Sequence, residues 1–231
     1  MNILEILFKS VKLILTLDPI LFEIIILSLR VSFIALIISS FFGIISGYLI
    51  ALKKFYFKKI LIIVFNSLMG IPPVVVGLIV YFLLARGGVL GVLELLYTPS
   101  AMIIAQTIII FPIIVSLSYE IFSQNWLQFK DHFRAFNIPL IGVMSILIRH
   151  SYLVLLTIIL SGFGRAISEV GAVMIVGGNI DHYTRVMTTA ITLQTRMGNL
   201  EYAMALGIVL IFLTMIINTI VYLFRLNIGR K

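Results

Sequence analysis

The chain has 231 residues, of which 61% are hydrophobic and 11% charged, and its formal net charge is +8. A soluble domain carries about 25% charged residues, so this composition excludes a soluble globular protein and indicates several spans in a lipid bilayer. The excess of Lys and Arg does not require a nucleic-acid partner, because the cytoplasmic loops of multi-pass membrane proteins are enriched in both. Cysteine is absent, which excludes disulfides, thiolate metal sites and a cysteine nucleophile.

Residues 1–19 predict a short amphipathic helix. Apolar residues recur there every three or four positions, and Glu5, Lys9 and Lys12 lie between them. Asp18-Pro19 ends the pattern. The stretch is short for a span and is interrupted by charge, so we expect a helix that lies in the outer membrane interface. A sixth span is the alternative.

Five further segments have the roughly 20 apolar residues that a helical span requires. They cover residues 22–52, 60–85, 100–122, 151–177 and 203–224. Lys and Arg concentrate in residues 53–59, in 123–150 and after the fifth span, whereas the charges of the other two loops are balanced. The positive-inside rule therefore predicts that these three segments, including the C-terminus, are cytoplasmic. The chain would then begin outside.

The longest cytoplasmic segment, residues 123–150, predicts a helix, a turn and a second helix. Asn137 tolerates the left-handed conformation that ends a helix, and Pro139 suits the first turn of the next one. One interpretation is an ordinary interfacial linker. The other is a docking element for a cytoplasmic partner, in which exposed aromatic side chains fill a pocket and charged neighbours fix the register. The candidate residues are Phe129, Asp131, Phe133, Arg134, Phe136 and Asn137.

The fourth span contains two charged residues, Arg165 and Glu169. A charge at membrane depth costs a few kcal/mol, so it is a functional hypothesis by default. The two residues are four positions apart, so they would share one face of a helix and pair. Small residues surround them, which allows another helix to approach closely. The pair could line a polar path, or it could only lock the span against a neighbour.

Several segments resemble the permease subunits of ABC importers. Asp131-His132-Phe133 and Asn137 fall on the positions of the cytoplasmic EAA loop of that superfamily, with Asp in place of Glu and Asn in place of Gly. The segments 28–32 and 71–77 resemble its first and second core helices. The sequences GFGRAISEVGAVMIVGGNI (162–180), TRVMTTAI (184–191) and TPSAMIIAQ (98–106) are similar to those of the tungstate-type permeases, which are relatives of the molybdate permeases.

This resemblance implies an all-α integral membrane protein with a five-helix MetI-like permease core. Residues 20–231 would form an ABC transmembrane type-1 permease domain, preceded by the interfacial helix 1–19 and containing a cytoplasmic coupling helix. The expected location is a prokaryotic cell (inner) membrane. The expected partners are a second copy of the chain, a cytoplasmic ATPase and an extracytoplasmic oxyanion-binding protein. We expect no cofactor, metal or catalytic residue in this chain, since ATP and Mg²⁺ would bind to the ATPase.

The implied cargo is an oxyanion, with tungstate as the first candidate. A path for a tetrahedral dianion needs hydrogen-bond donors and modest positive potential without a trap. The candidate residues for the path or gate are Arg165, Glu169, Asn179, Thr188 and Thr189. The alternatives are a molybdate or sulfate permease, and a secondary transporter that works without ATP. No inverted repeat and no broken pair of helices is evident, which disfavours the secondary transporter.

Overall fold

A computed structural model describes residues 3–16 and 18–228, and every regular element in this range is helical. Outside the described residues lie 1, 2 and 17 of the predicted helix 1–19 and 229–231 of the predicted domain 20–231. The helices are α1 (Ile3–Leu15), α2 (Pro19–Leu52), α3 (Lys58–Leu68), α4 (Pro73–Leu84), α5 (Pro99–Ala135), α6 (Leu140–Ile167), α7 (Gly171–Gly177), α8 (Met187–Arg196) and α9 (Leu200–Ile228), with a 3₁₀ turn at Gly91–Leu93.

Within the described residues, four helices are long and apolar enough to cross a membrane: α2, α5, α6 and α9. The pair α3 and α4 provides a fifth span if the two are counted together. The predicted class, an all-helical membrane protein with about five spans, is therefore confirmed. Helix α2 has 34 residues and α5 has 37, so each is over 50 Å long by the usual rise of about 1.5 Å per residue. Both extend beyond a hydrocarbon core of about 30 Å.

The centre of the fold is the contact between α2 and α5. Gly43 and Gly47 lie one turn apart on α2, where they meet α5 without an intervening side chain. A Cβ atom on Gly43 would lie 2.8 Å from Ile114, and one on Gly47 would lie 2.8 Å from Ser118. Small residues at this spacing let two membrane helices approach closely. Because residue numbers increase together along the contact, the two helices run in parallel.

Two of the predicted spans are broken. The span predicted at 60–85 divides into α3 and α4, whose axes differ by 104°, because the adjacent Pro72 and Pro73 lack the N–H groups that would continue a helix. The span predicted at 151–177 ends as a helix at Ile167 and resumes as α7 at Gly171. The expectation that the chain has no broken pair of helices was therefore wrong.

The two broken spans contact each other at their breaks. A Cβ atom on Gly77 of α4 would lie 2.7 Å from the Cα atom of Ala172, and one on Gly171 would lie 2.6 Å from the side chain of Val74. These glycines allow the backbones of α4 and α7 to touch. Each break is thus packed against protein, the condition under which irregular backbone is tolerated at membrane depth.

The predicted cytoplasmic linker 123–150 is mostly a continuation of two spans. Helix α5 runs without interruption from Pro99 to Ala135, and α6 begins at Leu140. The predicted helix, turn and helix are present, but only Phe136–Pro139 connects the two spans. The helices therefore extend beyond the predicted spans 100–122 and 151–177, because amphipathic sequence continues both of them; where the membrane ends along them stays a prediction.

The predicted N-terminal helix is present as α1, and it packs on α9. Ile6 and Ser10 are its buried residues, and the Ser10 hydroxyl donates a 2.7 Å hydrogen bond to the backbone carbonyl of Glu201. Lys9 lies 2.8 Å from the carboxylate of Glu201 and 3.4 Å from that of Glu5. Its 13 residues span about 20 Å, which is short for a membrane span. Its location in the membrane interface stays a prediction.

Gly47→Ala should lower the free energy of unfolding by about 1–3 kcal/mol, the usual cost of overpacking a close contact. The added methyl group would lie 2.8 Å from the backbone nitrogen of Tyr119 and 2.9 Å from the carbonyl of Val115. Thermal unfolding in detergent would measure the effect. Gly207→Ala in α9 is the matched control, since none of the described residues comes within 4 Å of that Cβ position. An equal decrease in the free energy of unfolding in the two variants would show that the close contact at Gly47 is not the cause.

Candidate translocation and coupling sites

Glu169 lies in the break between α6 and α7 and is almost completely buried. Nη1 of Arg165, in the last turn of α6, lies 3.3 Å from its carboxylate. The other carboxylate oxygen accepts a 3.1 Å hydrogen bond from the backbone N–H of Ala172. The sequence therefore predicted the pair correctly, although Glu169 is beyond the end of the helix that carries Arg165. The side chain of Arg165 is 32% exposed and that of Glu169 is 3% exposed.

The backbone around Glu169 is held by two further helices. The hydroxyl of Thr188, in the first turn of α8, donates a 2.7 Å hydrogen bond to the carbonyl of Glu169. The buried side-chain amide of Gln106, on α5, donates a 3.0 Å bond to the carbonyl of Ala166. The break in the fourth span is therefore tied to α5, α7 and α8 by hydrogen bonds from single side chains.

The remaining predicted path residues do not join this cluster. Thr189 is fully buried, and its hydroxyl accepts a 3.1 Å bond from the N–H of Val186 at the start of α8. Asn179 lies in the loop after α7 with φ of 51°, and its buried side-chain oxygen has no partner among the described residues. Thr189 thus caps a helix and Asn179 shapes a turn. Their role in the path stays a prediction.

Sequence reasoning missed Gln106 and Ser28 as structural residues of this region. The hydroxyl of Ser28 on α2 accepts a 2.7 Å bond from the N–H of Met187, which fixes the start of α8. Each of the two is a buried polar side chain inside an apolar run. Such a pattern predicts a hydrogen bond inside the protein, because buried polar groups are almost always hydrogen-bonded. The sequence could not name their partners, which lie on other helices.

The loop between α7 and α8 is held by an ion pair and by a hydrogen bond that becomes an ion pair when His182 is protonated. Arg185 lies 2.5 Å from Asp181, and Nδ1 of His182 lies 2.7 Å from the carboxylate of Glu23 on α2. The hydrogen bond to Glu23 raises the pKa of His182 above its ordinary value of about 6.5. In the same loop, the Thr184 hydroxyl donates a 2.6 Å hydrogen bond to the carbonyl of Gly177 at the end of α7.

The turn between α5 and α6 combines a buried aromatic cluster with an exposed tip. Phe133 is 7% exposed and stacks on Trp126, with ring centroids 6.1 Å apart. Phe129 contacts Phe133 and His150. The prediction that Phe133 is an exposed docking residue was wrong, because the ring packs within the chain. Phe136 is 75% exposed.

The neighbours of Phe136 agree with the predicted turn. Asn137 has φ of 49°, the left-handed conformation expected at this helix end. Asp131 and Arg134 are exposed. A cavity of about 360 Å³ opens between Trp126, Arg134, Asn137 and Leu140. The tip therefore offers an aromatic ring, charged groups of both signs and a concave surface to a partner.

Comparison with known proteins identifies the family. Residues 39–231 match the family described as "Binding-protein-dependent transport system inner membrane component". The chain belongs to this family. The permease is also 39% identical over 213 residues to "Tungstate uptake system permease protein TupB" of Peptoclostridium acidaminophilum, a match that covers 92% of this chain and 93% of the relative.

Two more relatives are similar over most of their length. "Probable anion ABC transporter permease protein" of Haloferax volcanii is 39% identical over 203 residues, which is 86% of this chain and 88% of the relative. "Tungstate uptake system permease protein TupB" of Campylobacter jejuni is 35% identical over 173 residues, 73% of this chain and 71% of the relative. The chain is therefore a permease component of a transport system, as the sequence resemblance predicted.

Arg165→Leu should destabilise the permease strongly while Glu169 is charged, and weakly in the Glu169→Gln background. Removing one partner of a buried ion pair leaves an uncompensated charge and costs about 3–5 kcal/mol. Glutamine keeps an oxygen that can accept the bond from Ala172 but carries no charge. Thermal unfolding of the wild type, both single variants and the double variant measures the coupling. Additive effects would show that the pair contributes no coupling energy.

Proposed function

We propose that this chain is the membrane-spanning subunit of an ABC importer for a tetrahedral oxyanion, with tungstate as the first candidate. The observation that carries the proposal is the 39% identity to a tungstate uptake permease over nearly the full length of both chains. A second tungstate uptake permease and a probable anion permease are also similar. All three names describe the transport of anions.

The cluster around the fourth-span break supports an anion as cargo. Arg165 uses one nitrogen for Glu169 and is about one third exposed, so other guanidinium N–H groups remain to contact an oxyanion. The buried carboxylate of Glu169 offsets part of this positive charge. Such a balance suits conduction, because a site on a path must be favourable enough to enter and weak enough to leave.

The charge distribution supports an orientation with the α5–α6 turn in the cytoplasm. Helices α2 and α5 are parallel, so the Lys cluster at 53–59 and the turn at 136–139 lie at the same end of the bundle. The positive-inside rule assigns that end to the cytoplasm. Single cysteines at positions 90 and 183 should then react with impermeant reagents outside cells, and one at position 55 should not. The opposite pattern would reverse the orientation.

The energy for transport would come from a separate ATPase subunit that binds ATP and Mg²⁺. We propose that a dimer of this chain docks one ATPase at each α5–α6 turn and receives cargo from an extracytoplasmic binding protein. Nucleotide-driven closure of the ATPases would move the turns and, through α6, the break beside Glu169. Helix α6 connects the two regions without interruption over 28 residues, or about 42 Å.

A secondary transporter is the candidate from another class. Broken spans that meet within the membrane, as α4 and α7 do, are common in that class. The similarity to ABC permeases over most of the chain outweighs this feature. ATP dependence of uptake separates the two classes directly.

The cargo can be tested with the complete complex in proteoliposomes. Tungstate, molybdate and sulfate would each be supplied with the binding protein, and ATP hydrolysis and anion uptake would be measured. We expect tungstate to stimulate both at the lowest concentration. Molybdate or sulfate acting at a lower concentration would replace tungstate as the cargo. Uptake without ATP would overturn the importer proposal.

Phe136→Ala should weaken the association with the ATPase, because it removes the exposed ring at the tip of the turn. Truncating an aromatic anchor in an interface typically costs about 2 kcal/mol or more, so we expect at least a tenfold loss of affinity by titration of the purified subunits. Phe8→Ala on α1 is the control, since Phe8 is 74% exposed and lies at the predicted outer side. Unchanged binding after Phe136→Ala would remove the turn from the coupling interface.

A further inference from the structure

A cavity of about 490 Å³ opens on the outer side of the bundle, between α2, the beginning of α5 and the turn at 182–183. Its walls include Ile26 and Arg30 of α2, Pro99 of α5, and Tyr183. The volume is much larger than a tetrahedral oxyanion and leaves room for accompanying water. Neither the predicted path residues nor the predicted coupling residues line this cavity.

Arg30 is the charged side chain of this cavity that has no charged or titratable partner among the described residues. The carboxylate of Glu23, which also lines it, is 2.7 Å from His182, and the neighbouring Asp181 pairs with Arg185. Arg30 is exposed and has no ion pair or side-chain hydrogen bond among the described residues. Beyond Glu23 and Arg30, α2 carries no other charged residue. The cavity therefore presents one guanidinium group to whatever enters it.

The helix register places Arg30 nearer the outer end of the bundle than Arg165. The contacts of Gly43 with Ile114 and of Gly47 with Ser118 put Arg30 level with the first turn of α5. Gln106, five residues further along α5 than that level, bonds to Ala166 beside Arg165. The two arginines thus differ in depth by about 7 Å, at about 1.5 Å per residue.

The two helices that carry these arginines also touch. The rings of Phe33 on α2 and Phe163 on α6 have centroids 5.0 Å apart. Phe33 lies one turn below Arg30, and Phe163 lies two residues before Arg165. Helices α2 and α6 are therefore in direct contact one turn inward of Arg30.

We propose that Arg30 is the residue that receives the oxyanion at the outer mouth of the permease. This inference rests on the oxyanion function proposed above. A planar guanidinium group matches the oxygens of a tetrahedral anion with two parallel N–H donors. A positive group within low-dielectric walls also raises the local concentration of anions. A single unpaired cation at the mouth attracts the ion without a trap.

The absence of cysteine from the chain allows a test by restoring charge. Arg30→Cys would be assembled into the complete complex in proteoliposomes and treated with 2-aminoethyl methanethiosulfonate, which adds a cation, or with 2-sulfonatoethyl methanethiosulfonate, which adds an anion. We expect Arg30→Cys to lower oxyanion uptake about tenfold or more, the scale of a lost charge-assisted hydrogen bond. The cationic adduct should restore most of the uptake, and the anionic adduct should not.

Two controls accompany this experiment. Ile26→Cys, one turn away in the same cavity, should transport at about the wild-type rate before modification, because no charge is removed there. The wild-type permease in the same complex should not respond to either reagent, which accounts for cysteines on the partner subunits. Direct binding is measured separately in the Ile26→Cys variant, which keeps Arg30, since tungstate should slow the modification of its thiol and chloride at equal ionic strength should not.

The inference fails if Arg30→Cys transports at the wild-type rate, if both adducts at position 30 act alike, or if tungstate does not protect the thiol at position 26. The variants Arg30→Lys and Arg30→Gln test whether the complex needs Arg30 in order to assemble. If the glutamine variant fails to assemble and the lysine variant assembles, Arg30 belongs to a subunit contact and the proposal is overturned. If the wild type takes up no oxyanion and tungstate still protects the thiol, the importer function fails while the anion-receiving role of Arg30 is supported.

Discussion

The fold depends on how the broken fourth span satisfies its polar groups inside the membrane. A break in a membrane helix frees backbone N–H and C=O groups, each of which costs several kcal/mol when it is left unpaired in hydrocarbon. The side chains of Glu169 and Thr188 supply the hydrogen bonds that these freed backbone groups need. The Glu169 carboxylate accepts a bond from Ala172 of α7 and pairs with Arg165 of α6, while Thr188 of α8 binds the Glu169 carbonyl. The charged pair Arg165–Glu169, although costly within a membrane, therefore satisfies polar groups at the break.

The glycines of the bundle place the two broken spans against each other and bring the central helices together. Gly43 and Gly47 bring α2 and α5 to close contact, and Gly77 and Gly171 do the same for α4 and α7. Side chains at these positions would push the helices apart. The broken α4 and α7 can then be supported by neighbouring backbone, so irregular structure is retained at the level where the proposed path passes.

Helix α6 links the two functional regions of the permease. It begins beside the exposed tip at Phe136 and ends at the break beside Glu169. Movement imposed on the tip by an ATPase would reach the break through a continuous helix. Arg165 is located in the last turn of that helix, immediately before the break.

The sequence by itself determined the membrane class with about five spans, the amphipathic α1, the turn at Asn137 and the pairing of Arg165 with Glu169. These follow from local composition and spacing, which act within a few residues. Only the tertiary structure decided that Phe133 is buried, that two spans are broken, that Gln106 and Thr188 hold the break and that Arg30 faces a cavity. Those features depend on which distant segments become neighbours, because burial and hydrogen-bond partners are supplied by other helices and leave no periodic signal in the segment that receives them.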